Sequence, residues 1–477
     1  MNRIILILLY LTYQTGYAQP FFKKTPIQAM LGTIISSDSL TPFLLRSKQY
    51  GLVPVKSGFG YLNLSLKKEY DSLYTTTDRK LKRLDYGYGL ETHLNIGRVN
   101  QILIPVAHFK VRYGAFELYG GRRREIQGLV DTLGTMGSYI WSGNALPMPK
   151  IEISIPNYTP IMKNGLIAIK GNFAHGWFGK ADSVQNVLLH QKSFYARIGK
   201  PTWKVHLIGG FNHQVQWGGY PTKPFFDEIS QQTISKFGND FGTFFKISTG
   251  VRLNKDGIGW NNQAGIPANE AGNRVGNHLG TIDIGLNTHF RNHTLLIYKQ
   301  SIFEDGSLFY LSNVVDGLYG IAFKSPKGII KHVNFEYFYT LNQGGDAFEF
   351  QPQLRGRDNY FNNSLYKDNW TYKNEGIGSP LIQGNDILRK STYFDNRIKA
   401  ISFNIHYRYR DVILETKVLQ ICNFGTYFVN KDLKQLSYLQ QIQKKFGKYI
   451  VCLNLAIDSK KDLSRNVATN LSIQKIW

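Results

Sequence analysis

Period-two alternation constrains this chain more than any other feature. Along 399–409, Ile401, Phe403, Ile405, Tyr407 and Tyr409 alternate with Ser402, Asn404, His406 and Arg408. Along 331–343, Val333, Phe335, Tyr337 and Tyr339 stand against Asn334, Glu336 and Thr340. Along 203–217, Val205, Leu207, Phe211 and Val215 stand against Lys204, His206, Asn212, Gln214 and Gln216. Side chains of a strand point alternately to its two faces, so each segment has one apolar and one polar face. The polar faces would be costly in lipid and need a wet lumen. Segments of about ten residues with this pattern fit an all-β transmembrane antiparallel barrel.

The pattern predicts about eighteen strands between 57 and 477, including 242–254. The last runs over 465–477 and ends on the aromatic Trp477. At the other end, Asn2–Arg3, the apolar Ile4–Leu11 and the small-x-small Gly16-Tyr17-Ala18 read as a signal peptide cleaved near Ala18–Gln19. Export plus strands places the protein in the outer membrane. The expected division is a signal peptide over 1–18, a periplasmic N-terminal segment over 19–56, and one barrel over 57–477. Short helices are expected at 39–50 and 224–237, both periplasmic. An even strand count puts both barrel ends in the periplasm. Two long segments, 126–149 and 219–241, then fall on the periplasmic side, where turns should be short. Either 219–241 caps the barrel from below, or one strand upstream is miscounted.

Composition narrows the function. No stretch after the signal is long and apolar enough for a transmembrane helix. The formal charge of +24 is spread along the chain. In an exported protein it points to anionic partners, namely lipopolysaccharide, outer-membrane lipid or an acidic polymer, and no nucleic-acid module is visible. The two cysteines, Cys422 and Cys452, are expected to stay unpaired, with a whole strand between them. No cofactor and no metal site is expected; His206 and His213 fall on opposite faces. A Ser193–His190 hydrolase pair is disfavoured for the same reason, so catalysis is not expected.

Longer stretches carry a resemblance. Residues 188–219 (LLHQKSFYARIGKPTWKVHLIGGFNHQVQWGG), HGWFG at His175–Gly179, WSGNALPMPKI at Trp141–Ile151, GNHLG at Gly276–Gly280 and YKQSIFEDGS at Tyr298–Ser307 resemble the Wzi family of capsule assembly proteins, in the branch of Bacteroidetes-type bacteria. The resemblance implies an eighteen-stranded outer-membrane barrel with periplasmic helical elements. It also implies a surface lectin that attaches exported capsular polysaccharide. The alternative is a porin for anionic solutes.

The candidate polysaccharide contacts come from the residues themselves. Lys170, Asn172, Arg197, Asn212, Gln214, Gln216 and Arg408 fall on the wet face. Arg355, Arg357, Trp370 and Tyr372 fall in the long segment 344–396. Aromatic rings suit sugar faces, and guanidinium suits carboxylates. The cluster Arg79, Lys80, Lys82 and Arg83 is expected in an external loop, and Arg122–Arg124 at periplasmic head groups.

Overall fold

The computed structural model describes residues 25–71, 84–180, 183–228, 230–251, 265–267, 270, 274–304, 307–347, 356–384, 394–460 and 465–477. Eighteen strands form one closed antiparallel barrel. They are β1 (Ile27–Ser36), β2 (Phe59–Lys68), β3 (Leu84–Gly97), β4 (Gln101–Tyr113), β5 (Phe116–Arg122), β6 (Lys150–Pro160), β7 (Ile167–Gly179), β8 (Val187–Ile198), β9 (Val205–Trp217), β10 (Asn277–Phe290), β11 (His293–Phe303), β12 (Gly317–Lys324), β13 (Ile330–Tyr339), β14 (Ile398–Tyr409), β15 (Val412–Gly425), β16 (Asn430–Phe446), β17 (Tyr449–Lys460) and β18 (Asn466–Ile476). Closure is made by β1, which pairs with β18 on one side and β2 on the other. Alternation sorts the side chains. Ile282, Ile284, Phe335, Ile401, Phe403, Leu471 and Ile473 are exposed on the outer wall, while Asp283, Glu336, Ser402 and Asn404 are buried inside. Cys422 on β15 and Cys452 on β17 are both free, with β16 between them.

The count of eighteen hides two compensating errors in the sequence reading. The barrel starts at Ile27, inside the segment expected to be periplasmic, because β1 is a full wall strand. Its sequence IQAMLGTIIS is apolar on both faces: Leu31 and Ile35 face outward, while Ile34 is fully buried inside. Alternation therefore does not reveal it. Conversely, the strand expected at 242–254 is not formed over its described part, residues 242–251. Phe241–Thr249 is a helix, α2. Asp240 caps it by accepting from the Thr243 N–H, and Gly250 ends it at φ 67°. The helix expected at 224–237 is a small hairpin, Phe225–Asp227 with Gln232–Ile234. The helix expected at 39–50 shrinks to α1 (Phe43–Arg46).

Correcting both errors also corrects the sidedness. Short turns at 114–115, 161–166, 199–204, 291–292, 325–329, 410–411 and 447–448 share one end. The connections 37–58, 123–149, 218–276, 304–316 and 340–397 share the other. Short turns mark the periplasmic end of such barrels. The segments 126–149 and 219–241 thus join 344–396 at the external end. The cluster Arg79, Lys80, Lys82 and Arg83 lies outside the described residues.

Three external connections fold into the barrel and build its core. Within 123–149, the Leu129 N–H donates to Asp283 at 2.8 Å, Met136 to Glu336 at 2.7 Å and Tyr139 to Gln300 at 3.0 Å. At the tip, Asp131 bonds His332 Nε2 at 2.8 Å and pairs with Lys324, both near the periplasmic end of their strands. From 356–384, Tyr360, Phe361, Tyr366 and Trp370 are buried, and Tyr139 packs edge-on to Phe361 with centroids 5.1 Å apart. From 37–58, Phe43, Leu44, Leu45 and Leu52 are buried, and Lys48 Nζ donates to the Thr135 carbonyl.

Burial pushes the Lys48 ammonium down to about 8, with repulsion from Lys417 adding to the shift and Glu336, Glu415 and Asp131 opposing it. The unfolded chain then binds more protons than the folded one between about pH 8 and the ordinary lysine value near 10.4. Stability is expected to rise across that window, on the order of 1–2 kcal/mol. Urea titrations in detergent at pH 7.5 and 10 should show the rise in the wild type and a flatter response in Lys48→Met. An equal rise in both would trace it to another group.

The helix α2 lies outside the barrel. Its Phe244 ring sits 5.9 Å from Trp217, 5.6 Å from His175 and 5.8 Å from His190, all outward-facing positions of β7–β9. Ile247 packs with Val215, Trp217 and Val275, while Phe241 and Phe245 are exposed. His213 bonds His278 at 2.9 Å in this covered patch, so it is not an exposed girdle residue.

Candidate functional site

Polar side chains on the wet face of β7–β10 divide into two groups. One group anchors the plug. Gln214 donates to the Ile140 carbonyl at 3.2 Å, and Gln216 donates to the Asn369 carbonyl at 2.7 Å. Asn212 bonds Tyr195, Thr281 and Asp283. The Gln214 and Gln216 amides hold the loops directly, while Asn212 braces the wall through Asp283, which accepts from the Leu129 N–H. The other group faces open space. Lys170 and Asn172 line a cavity of about 920 Å³ in the half of the barrel toward the short turns. Arg197 adjoins it, sharing the Tyr158 ring with Lys170.

Two expectations about arginines change. Arg122–Arg124 do not sit at head groups, because β5 ends at the external end and the chain then turns inward. Arg123 pairs with Glu117, Glu125 and Glu152, and its guanidinium lies 3.7 Å from the Tyr119 ring centre. Arg124 pairs with Glu91. Repulsion among these carboxylates would otherwise open the wall. Arg408 is exposed near the 410–411 turn, bonding the Arg410 carbonyl at 3.1 Å, at the opposite end from the long loops.

The long segment contributes less ring surface than its sequence promises. Trp370 is buried at 1% exposure, in the plug core rather than on its surface. Arg355 lies outside the described residues. Arg357 is exposed, with its guanidinium 5.9 Å from the Tyr427 ring. Tyr372 is mostly buried, and Arg122 donates to its hydroxyl at 2.8 Å.

An external groove of about 220 Å³ lies between the end of β7 and the loop around 366–374. Its floor holds Phe178, Gln216, Tyr366 and Tyr372, and Lys180 and Lys373 stand exposed at its rim. Asp368 ties the two sides together by accepting from the Ser183 N–H and hydroxyl. A two-residue hairpin, Thr371–Tyr372 against Glu375–Gly376, lifts Lys373 to the tip. Both tip residues have positive φ, 53° at Lys373 and 68° at Asn374. Asparagine tolerates this region; lysine has no local reason to occupy it. Sequence reasoning names Tyr372 and Gln216 as contacts but omits Lys180. The adjacent Lys373-Asn374 pair was the available turn signal.

Residues 91–412 match the family described as capsule assembly protein Wzi. The chain belongs to that family. Wzi membership together with the barrel places the protein in the outer membrane, in capsule assembly. No curated protein sequence matches it. Solved structures similar in fold include Pseudomonas aeruginosa OccK5 (OpdH), 7% identical with a TM-score of 0.45, covering 95% of this chain and 97% of that one. Pseudomonas aeruginosa OpdK with vanillate is 9% identical at 0.44, covering 95% and 99%. Salmonella typhi OmpF in complex with daunomycin is 7% identical at 0.40, covering 95% and 97%. Likeness at this level carries no argument about what this Wzi-family chain binds. The pair Ser193 and His190 points to opposite faces: Ser193 bonds Asn172 inside, and His190 lies against Phe244 outside.

Proposed function

We propose that this protein is a non-enzymatic, lectin-like member of the Bacteroidetes-type branch, which holds exported acidic capsular polysaccharide at the external end of its barrel. Its signal peptide is removed near Ala18–Gln19. The observation that carries the reading is the external groove with Lys180 and Lys373 at its rim, set on connections that fill the lumen below. A barrel filled from its external end is poorly suited to a porin for anionic solutes. The two exposed ammonium groups at the rim suit the carboxylates of an acidic polysaccharide. The remaining positive charge serves lipopolysaccharide and lipid.

The double substitution Lys180→Ala, Lys373→Ala is expected to release capsule into the medium while a heat-modifiable barrel still assembles. Retained capsule on cells carrying the folded variant would remove the groove from the function. Lys373→Gly separates binding from folding. It relieves the left-handed lysine, which costs on the order of 1 kcal/mol, so the barrel should be no less stable while capsule attachment falls. Binding of purified capsule should weaken with salt, because rim charges are screened over about 8 Å at physiological ionic strength. Affinity that is flat from 50 mM to 500 mM salt would assign the charge to the membrane instead.

A further inference from the structure

The cavity at the short-turn end is a second built space, separate from the external groove. It is lined by β1–β8, by Gln474 of β18 and by the chain from Arg123 to Gly128, and holds about 920 Å³, within the roughly 300–1,000 Å³ range of small-ligand sites. Its ionised side chains are almost all paired. Lys67 and Lys110 meet Glu69. Arg124 meets Glu91, and Arg123 meets Glu117, Glu125 and Glu152. Every carboxylate among these is held by a cation, so the cavity does not repel a further negative charge on balance.

Lys170 is the exception. Among the described residues no carboxylate pairs with it, and its ammonium instead sits 5.0 Å from the ring centres of both Tyr158 and Tyr195. Asp283 acts on it only through space, since that carboxylate is bonded by Tyr195, Asn212 and Gln300. The Arg197 guanidinium lies 5.3 Å from the Tyr158 ring centre, and its buried Nε has no partner. Tyr158 Oη and Ser154 Oγ are likewise buried without one. These groups converge because β6 bulges between Ile155 and Thr159, which brings Tyr158 opposite Lys170. The unpaired Lys170 ammonium and the Tyr195 ring in the lining, with Tyr158 and Arg197 packed behind them, are complementary to a sugar ring carrying a carboxylate.

We infer that this chamber is a binding site for a carboxylated saccharide of uronic-acid type, entering from the periplasmic end, with Lys170 as its carboxylate anchor and Arg197 and the Tyr158 ring beside it. The site is independent of the external groove, and the loops that fill the lumen separate the two.

The test uses the full chain purified in detergent and isothermal titration with galacturonate oligomers of two and three residues, with the matching neutral galactose oligomers as comparison. Saturable binding of the acidic sugar, at least tenfold weaker binding of the neutral one, and at least tenfold loss in Lys170→Gln are expected. Lys163→Gln, an exposed lysine in the 161–166 turn at the same end, removes the same charge outside the chamber and should bind as the wild type does. Equal affinity for the neutral sugar, an unaffected Lys170→Gln, or an equal loss in Lys163→Gln would each overturn the assignment. Heat-modifiable mobility of both variants verifies folding. Capsule retention by cells, which reports on the external groove, is read separately.

Discussion

Replacing residues 129–146 with a short Gly-Ser turn is expected to convert an electrically silent barrel into a wide, steadily conducting pore in planar bilayers. The segment runs from the external end almost to the short turns, held by Asp283 and Glu336 through its backbone and by Lys324 and His332 through Asp131. Removing it empties the wall of β10–β13. The single change Asp131→Ala should do less. It leaves the half-exposed Lys324 and the buried His332 without their shared partner, but the bonds at Leu129, Met136 and Tyr139 remain. Brief openings are expected rather than a constant current. Burial would raise the Asp131 carboxyl, but hydrogen bonds from His332 and Lys324 hold it well below the usual carboxylate range. A depressed value means the contribution is present above the ordinary carboxylate pKa and lost only as pH falls toward the folded one. Wild-type silence should therefore persist from pH 7 down to about 4. A folded deletion variant that stays silent would show that 356–384 closes the barrel alone.

Leu31→Pro is expected to abolish assembly of the folded barrel. Leu31 sits mid-strand in β1, opposite Leu62 of β2 and Ile473 of β18. Proline removes a ladder donor and is confined to strand edges and bulges, and here the loss falls where the sheet closes. Loss of the heat-modifiable form is the readout. A variant that still shifts on heating would mean that 27–36 is an accessory segment and that β2 meets β18 directly.

The strands that the sequence reveals are those with lipid on one side and water or polar plug on the other, as in 399–409. β1 escapes because its inner face meets apolar loop residues, so both faces read alike. α2 escapes because its apolar residues also fit period two, and its caps at Asp240 and Gly250 were the only contrary signals. Inside the barrel, parity placed Lys170, Asn172, Asn212, Gln214 and Gln216 correctly on the wet face. It could not say which of them meets solvent and which meets a loop, because that depends on chain distant in sequence. The same limit explains Trp370: aromatic residues beside arginines read as a binding surface, yet a plug inside a barrel needs its own core.

The position of α2 also bears on how copies of this protein can stand side by side. A smooth cylinder could pack against a neighbour along any line of its circumference. Here the sector formed by β7–β10 carries a helix with Phe241 and Phe245 pointing away from the wall. A second cylinder cannot lie flush against that sector, and the helix behaves there as a fender. Crowding in the plane of the membrane is thereby directional, and any lateral array must leave this flank to lipid or use the remaining circumference.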